Sequence, residues 1–181
     1  AMARMARVIA GGDARKADLL LVDLGDGAMV VKDFAGKPWS TRFLGRIQAR
    51  REFGAYGWLG EMPGIPRLVG RVDALAFAME KVEGERLHGS HDPFARGAEH
   101  VARLRAIIDA MHARGVVHND LRGSENLMLR ADGDLLVLDL AGAVRLRPGG
   151  LAHRLFFPLL AVSDEAAYLK WKELLTPGRL T

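Results

Sequence analysis

The stretch VVHNDLRGSENLMLRADGDLLVLDLAGAV, residues 116–144, decides the fold of this chain. It places Asp139 inside the apolar run LLVLDLAGAV, downstream of the triplet His-Asn-Asp. An isolated ionised carboxylate is costly to bury, so Asp139 is expected to need a metal, a cation or a proton as its partner. The alternative interpretation is a carboxylate that caps a turn at the end of the strand.

The polar residues upstream of Asp139 form a candidate set for chemistry. Asp120 lies in a tight loop and is a candidate general base for a substrate hydroxyl. Arg122 can neutralise charge that develops on a transferred group. Asn126 offers a neutral oxygen suited to Mg²⁺, and it begins the hairpin that Asp139 ends, so both are predicted magnesium ligands. His118 is interpreted as a packed brace of the loop.

The segments around this loop have helical and hairpin patterns. FARGAEHVARLRAIIDAMHARG (94–115) predicts a helix with Gly115 at its C-terminal cap and one apolar stripe, made of Val101, Leu104, Ile108 and Met111. NLMLRADGDLLVLDL (126–140) predicts a hairpin turned at Asp132 and Gly133. The tail at 150–175 predicts helix interrupted at Pro158.

The first half of the chain has strand character. Residues 6–34 predict a three-stranded antiparallel meander whose GDG turn is a hairpin signal. Residues 40–62 predict one or two helices interrupted at Gly45 or Gly54, with an apolar face of Phe43, Ile47, Phe53, Tyr56 and Leu59. Residues 66–84 predict two more strands.

The order of these elements predicts an α+β fold in two lobes. A five-stranded antiparallel sheet with one helix is expected over residues 1–84. A truncated, mainly helical lobe that carries the loop with Asp120 is expected over residues 85–181. The strands and helices do not alternate as they would in a parallel sheet.

Two charged residues in the first half are candidates for a functional pair. Lys32 stands within the apolar run of a predicted strand, where an edge-strand lysine reaching solvent is the plain alternative. Glu52 lies on the predicted helix, where a surface charge is the plain alternative. Together they can form an ion pair that holds the lysine toward a phosphate.

Composition limits the classes of function. The chain has 49% hydrophobic residues, a formal net charge of +4 and no cysteine, which indicates a folded protein of a reducing compartment and favours a cytoplasmic location. The apolar run at 155–162 is too short to span a bilayer, and no signal peptide is recognised. Zinc-finger spacing and a dense basic stripe are absent, so nucleic acid is disfavoured as a partner.

Much of the positive charge is arginine. One stretch holds Arg42, Arg46, Arg50 and Arg51, and a second holds Arg145 and Arg147. A solvated helix face is one interpretation. The other is contact with anionic ligands such as nucleotide phosphates or lipid headgroups, which leaves peripheral membrane contact open.

The ordered set of polar residues resembles the protein-kinase superfamily. A lysine in the third strand, a glutamate in the next helix, a His-x-Asp loop with a downstream asparagine and a strand-end aspartate follow its pattern. The chain is similar to the compact bacterial branch of RIO-like and lipopolysaccharide-core (Kdo) kinase-like proteins. GRIQARREFGAYGWLGEMPGIPRLVG (45–70), AFAMEKVEGERL (76–87) and LTP (175–177) also resemble that branch. The resemblance covers most of residues 28–145.

The resemblance implies ATP and Mg²⁺ as cofactors. Lys32 would hold the α- and β-phosphates and pair with Glu52, and Asp120 would accept or orient the acceptor hydroxyl. Asn126 and Asp139 would bind Mg²⁺. The nucleotide-binding residues that the resemblance adds are Met79 with the backbone of Glu80 and Val82 at the adenine edge, and Gly11 and Gly12 over the phosphates.

The implied activity is transfer of the γ-phosphate of ATP to a hydroxyl group. A minimal protein Ser/Thr kinase, able to phosphorylate itself, is the main expectation. A sugar or lipopolysaccharide-core kinase and a pseudokinase that acts as a nucleotide-binding interaction module are the alternatives.

Four departures from the kinase pattern accompany the resemblance. Gly11 and Gly12 lack the full spacing of a glycine-rich loop, and DLRGSEN has one residue more than the common catalytic loop. Asp139 is followed by Leu-Ala instead of Phe-Gly. The sequence after Asp139 is too short for a long activation segment and the later helices that grip peptide substrates.

Overall fold

The computed structural model describes residues 6–11, 13–14, 16–23, 27–87 and 96–177. The chain forms two compact units, of which the first comprises Ala1–Gly60 and Pro66–Val82 and the second Glu61–Ile65 and Glu83–Thr181. The short segment Glu61–Ile65 belongs to the second unit, and its Gly64 carbonyl accepts a hydrogen bond from the Val137 amide at 2.8 Å.

The first unit contains a five-stranded antiparallel sheet, as predicted. Its order is β1-β2-β3-β5-β4, so β3 is the central strand. Asp23 of β2 pairs with Ala28 of β3, although most of the predicted GDG turn lies outside the described residues. The strands are β1 (Ala6–Ala10), β2 (Asp18–Asp23), β3 (Ala28–Asp33), β4 (Leu68–Arg71) and β5 (Ala76–Glu80).

Among the described residues of the first unit, one helix, α1 (Trp39–Leu59), accompanies the sheet. The predicted interruption at Gly45 or Gly54 is wrong, because the helix runs through both glycines. The predicted apolar face is also wrong in part. Phe43 and Ile47 are 66% and 49% exposed, whereas the stripe that packs inward at helical spacing consists of Gly45, Ala49, Glu52, Ala55, Tyr56 and Leu59.

The second unit is built on two long helices, α2 (Gly97–Ala113) and α3 (Leu151–Leu175). Its short strands form two small antiparallel sheets, one of order β6-β8-β9 and one of order β10-β7. The strands are β6 (Glu85–Arg86), β7 (Val116–Val117), β8 (Leu127–Leu129), β9 (Leu135–Val137) and β10 (Val144–Arg145). The predicted hairpin at 126–140 is therefore present as β8 and β9.

The helices of the second unit agree with the sequence patterns, with one exception. All four residues of the predicted α2 stripe are buried, and Gly115 follows the helix with a φ of 72°, where a left-handed glycine ends a helix readily. The predicted interruption at Pro158 is wrong. Pro158 lies on an exposed side of α3, and the helix continues through it. No described helix is both long enough and apolar enough to cross a membrane.

Gly45 is a position where packing opposes helix propensity. A Cβ atom added there would lie 2.5 Å from the ring and 2.8 Å from the Cβ of Phe34, which is 1% exposed. We expect Gly45→Ala to lower the free energy of unfolding by about 1–3 kcal/mol because the core is overpacked. Urea denaturation of the purified protein measures this change.

The matched control is Gly57→Ala in the same helix. A Cβ there would meet only Leu68 at 3.9 Å, so the replacement of glycine should stabilise the helix by up to about 1 kcal/mol. Equal effects of the two substitutions would contradict the packing of α1 on Phe34.

Candidate active site

Lys32 and Glu52 form a buried ion pair in the first unit. The Lys32 Nζ lies 2.9 Å from Oε1 and 2.8 Å from Oε2 of Glu52. Lys32 is 8% exposed on the central strand and Glu52 is 0% exposed, so neither plain alternative, an edge-strand lysine or a surface glutamate, describes them. Because desolvation makes such a pair costly, its retention fixes the position of the ammonium group more than it adds stability.

The loop after β1 approaches a second lysine–carboxylate pair. A Cβ on Gly11 would lie 2.5 Å from the carboxylate of Asp18, which pairs with Lys37 at 2.5 Å. A side chain larger than hydrogen therefore does not fit at Gly11 without movement of this carboxylate. Gly12 lies outside the described residues. A phosphate-covering role of both glycines stays a prediction.

The predicted adenine-contacting residues lie at and beyond the end of β5. Met79 and Glu80 belong to the strand, and all three predicted residues are half-buried. The Glu80 amide donates to the Arg67 carbonyl at 2.9 Å, so this N–H is already used within the unit. Within the described ranges, the Val82 N–H has no hydrogen-bond partner. Val82 is thus the better backbone donor for a base edge.

A buried carboxylate of α3 holds the loop that carries Asp120. Asp164 is 1% exposed, and its two oxygens accept the backbone N–H groups of His118 and Asn119, each at 2.8 Å. The oxygen bonded to His118 also lies 3.0 Å from Nε2 of His112. One side chain thus satisfies two consecutive amides of the loop and orients the backbone that leads into Asp120.

Two further side chains of α3 hold the following residues of the loop. The indole nitrogen of Trp171 donates to the Leu121 carbonyl at 2.8 Å, and the Lys170 ammonium donates to the Arg122 carbonyl at 2.7 Å. Trp171 and Leu121 are both buried. The loop backbone is therefore attached to a helix at both of its ends, while the Arg122 side chain is exposed.

His118 braces the loop as a neutral imidazole. Its Nε2 lies 3.0 Å from the Leu138 carbonyl, an acceptor, and its Nδ1 accepts the Asp120 amide at 3.3 Å. These two contacts define the tautomer with a proton on Nε2 only. Burial lowers the pKa of His118 below its ordinary 6.5, partly offset by the Leu138 hydrogen bond. The brace role predicted from the sequence agrees with these contacts.

Asp120 and Asn126 lie in direct contact. The Asn126 amide nitrogen donates to the Asp120 backbone carbonyl at 2.6 Å and to its carboxylate at 3.1 Å. Asn126 is 3% exposed and Asp120 is exposed. Because the amide nitrogen is engaged, the amide oxygen is the atom of Asn126 that can serve a cation.

The expected burial of Asp139 within a strand is wrong. β9 ends at Val137, and Asp139 is exposed. Asp139 precedes a 3₁₀ turn, Leu140–Gly142, and its carboxylate accepts a hydrogen bond from the Ala141 amide at 3.2 Å. The turn-capping alternative is thus correct for this contact. Asp139 and Asn119 are the two described non-glycine residues with positive φ, at 60° and 66°. Asparagine and aspartate tolerate this conformation best among residues with a Cβ.

The predicted metal ligands lie at neighbouring positions of one hairpin. The Asn126 carbonyl accepts the Leu138 amide at 2.9 Å, directly before Asp139. A Cβ on Gly142 would lie 3.4 Å from the Cβ of Asp120, so the turn after Asp139 packs on the loop. One amide and one carboxylate suit Mg²⁺, which takes few protein ligands and completes its shell with phosphate and water. No group of three His, Asp or Glu side chains suited to a metal occurs among the described residues.

Asp164, which braces the loop that carries Asp120, was not among the residues predicted from the sequence. It falls on the buried stripe of α3 between Phe157 and Trp171, each seven residues away. A carboxylate on the apolar stripe of a helix needs buried donors. That position was the signal which could have identified it.

The fold is protein-kinase-like. The structure of Rio2 kinase from Chaetomium thermophilum is similar over 97% of this chain, with a TM-score of 0.69 and 18% sequence identity. A second structure, the Rio2 kinase-ADP/Mg²⁺-phosphoaspartate complex from the same organism, has a TM-score of 0.64 and 16% identity. This chain spans 60% and 62% of those two chains.

Curated kinases match part of the sequence. CBL-interacting serine/threonine-protein kinase 16 of Arabidopsis thaliana is 37% identical over 83 residues, and CBL-interacting protein kinase 12 of Oryza sativa subsp. japonica is 41% identical over 85 residues. The matched stretches cover 43% and 42% of this chain but only 18% and 15% of those kinases. No family model matches the chain.

The brace formed by Asp164 makes a testable prediction about stability. Asp164→Ala leaves the buried amide of His118 and the partly buried amide of Asn119 without acceptors, and we expect the free energy of unfolding to fall by about 3–5 kcal/mol. Urea denaturation monitored by circular dichroism measures it. Asp164→Asn, which retains one acceptor oxygen, should cost less. Glu173→Ala on an exposed site of the same helix should change stability by less than about 0.5 kcal/mol. Equal stability of Asp164→Ala and Glu173→Ala would disprove the brace.

The neutral state of His118 predicts a pH dependence. Because the folded pKa lies below the unfolded value of 6.5, the contribution of His118 to stability is present above that pH and is lost as the pH falls through the lowered folded pKa. We expect the melting temperature to decline more steeply between about pH 7 and pH 5 for the native protein than for His118→Gln.

Burial also lowers the pKa of His100, so this residue contributes a pH dependence of the melting temperature with the same sign in the native protein and in His118→Gln. The difference between the two curves therefore reports His118. Parallel melting curves across this pH range would show that His118 is not held neutral.

Proposed function

We propose that this chain is an ATP- and Mg²⁺-dependent phosphotransferase whose acceptor is a protein Ser/Thr hydroxyl. The observation that supports it best is the arrangement of Asp120 beside Asn126 on a loop braced by Asp164, together with the buried pair of Lys32 and Glu52. The protein-kinase-like fold and the kinases among the similar proteins support the reaction class.

Each residue receives one role in the proposed reaction. Lys32, held by Glu52, binds phosphate oxygens of ATP. Val82 contributes its N–H to the adenine edge. Asp120 orients the acceptor hydroxyl and takes its proton as the phosphoryl group is transferred. Arg122, whose side chain is exposed, offers a cation near the transferred group.

Asn126 and Asp139 are the proposed holders of Mg²⁺. When bound, the ion would neutralise charge on the β- and γ-phosphates. The left-handed backbone and the hydrogen bond to Ala141 hold the Asp139 carboxylate in position. The hydrogen bond to Asp120 holds the side-chain amide of Asn126 in position. One of the two similar Rio2 kinase structures is a complex with ADP and Mg²⁺, which supports this pair of cofactors.

The proposed acceptor follows from the partial matches. The first of them is a serine/threonine-protein kinase, which favours a protein hydroxyl over a sugar or lipopolysaccharide core. The Rio2 kinase complex also includes phosphoaspartate, so a carboxylate of the chain itself is a second acceptor to test. The lack of cysteine fits action in a reducing compartment such as the cytoplasm.

The test is incubation of the purified chain with radiolabelled ATP and Mg²⁺, alone and with a general protein substrate. We expect label on protein, stable to acid and hydroxylamine if it is on serine or threonine and labile if it is on aspartate. Asp120→Asn should lower turnover about 10²–10⁴-fold with little change in nucleotide affinity, because a general base acts in the transition state. Asp139→Asn, which retains the backbone conformation and the cap, should abolish transfer.

The matched control is Asp132→Asn in the turn of the same hairpin. It makes the same chemical change at an exposed aspartate that serves only the turn, where it accepts the Asp134 amide at 2.9 Å. Transfer by Asp139→Asn at the rate of the control would rule out the metal role. Binding of ATP with Mg²⁺, measured by thermal shift, without transfer to any acceptor would favour the pseudokinase alternative.

A further inference from the structure

The solvent-facing side of α1 carries two parallel rows of residues. Trp39, Phe43 and Ile47 are 83%, 66% and 49% exposed and follow one another at intervals of four residues. A second row with the same spacing runs beside them and consists of the exposed residues Arg42, Arg46 and Arg50. Side chains four residues apart lie on one side of a helix, so each row is continuous over roughly 12 Å.

The surface formed by these two rows is cationic without internal compensation. Glu52 is the single acidic residue of α1, and it is buried on the opposite side of the helix. None of the arginines of the row, nor the exposed Arg51 next to it, has an ion-pair partner among the described residues. Three large apolar side chains beside unpaired cations are costly to leave in water and attract a surface that is both apolar and negative.

We propose that this face of α1 binds the surface of an anionic lipid bilayer. Tryptophan and phenylalanine enter the boundary between headgroups and acyl chains, and the arginine row contacts the anionic headgroups. A helix with this composition lies in the plane of the interface and does not span it. The inference does not rest on the proposed phosphotransfer.

The shape of the face favours a lipid surface over an acidic peptide. Both rows project from the solvent-facing side of one helix, whose rounded surface does not offer the two facing walls that hold an extended chain. A fluid bilayer needs no complementary pocket, because lipids adjust to the inserted side chains. Charge and apolar exposure coincide here, which is the combination that interfacial helices use.

The test is co-sedimentation of the purified chain with vesicles of phosphatidylcholine, with or without about one third phosphatidylserine. We expect binding to the anionic vesicles, weak binding to the neutral ones, and loss of binding at high salt. Brominated lipid should quench Trp39 fluorescence, and Trp39→Phe should remove most of that quenching while the protein still binds.

Two variants separate the contributions of the rows. Arg42→Gln/Arg46→Gln/Arg50→Gln should weaken binding to anionic vesicles about 100-fold, at roughly fivefold for each arginine. Trp39→Ser/Phe43→Ser should weaken binding to all vesicles at least tenfold, because two aromatic groups no longer insert into the interface. All of the side chains removed are exposed, so folding measured by circular dichroism should be unchanged.

Leu155→Ser/Leu159→Ser on α3 is the matched control, because these residues are 62% and 73% exposed and lack a parallel basic row. It should bind like the native chain, as should Asp120→Asn. Three results would overturn the proposal. The native chain would bind neutral and anionic vesicles equally, the α1 variants would bind like the native chain, or the α3 control would lose as much vesicle binding as the α1 variants. Binding of a polyglutamate peptide without vesicle binding would assign the face to a protein partner instead.

Discussion

The conformation of the loop that carries Asp120 depends on one buried carboxylate, Asp164. Backbone amides that leave helix and sheet inside a protein need acceptors, and the amides of His118 and Asn119 obtain both of theirs from this side chain. Asn119 has a left-handed backbone conformation, and the next residue, Asp120, is exposed. The loop that carries Asp120 is therefore held in one conformation by its hydrogen bonds to side chains of α3.

The first unit uses a buried charge in a similar way. Lys32 gains a defined position through Glu52, although burial of two ions contributes little to stability. In both units a carboxylate on a helix holds a group on another element, Glu52 for a strand and Asp164 for a loop. The two helices therefore do more than cover apolar surface, since each also orders the polar group that the proposed reaction requires.

The sequence patterns predicted the five strands of the first unit, the hairpin of β8 and β9 and the long helices, because alternation and helical spacing report which side of an element is buried. The pairing of Lys32 with Glu52 was one of two interpretations of these residues and is what the resemblance to protein kinases implies. The patterns failed where an exposed apolar residue has the same spacing in the sequence as a buried one. Phe43 and Ile47 fit a helical stripe but face solvent, since Gly45 is the position that approaches Phe34. Asp139 was expected inside a strand because the residues around it are apolar. Asp164 was missed because its place on the buried stripe of α3 indicates a buried carboxylate but does not name its partners, which are backbone amides.

The backbone at Asp139 also bears on how such a chain can change over evolutionary time. Its φ of 60° suits glycine even better than aspartate. Aspartate and glycine codons are related by one base change, and that change would retain the left-handed backbone while removing the carboxylate and its hydrogen bond to Ala141. A lineage could therefore lose the proposed magnesium ligand here in one mutational step and still inherit an intact fold.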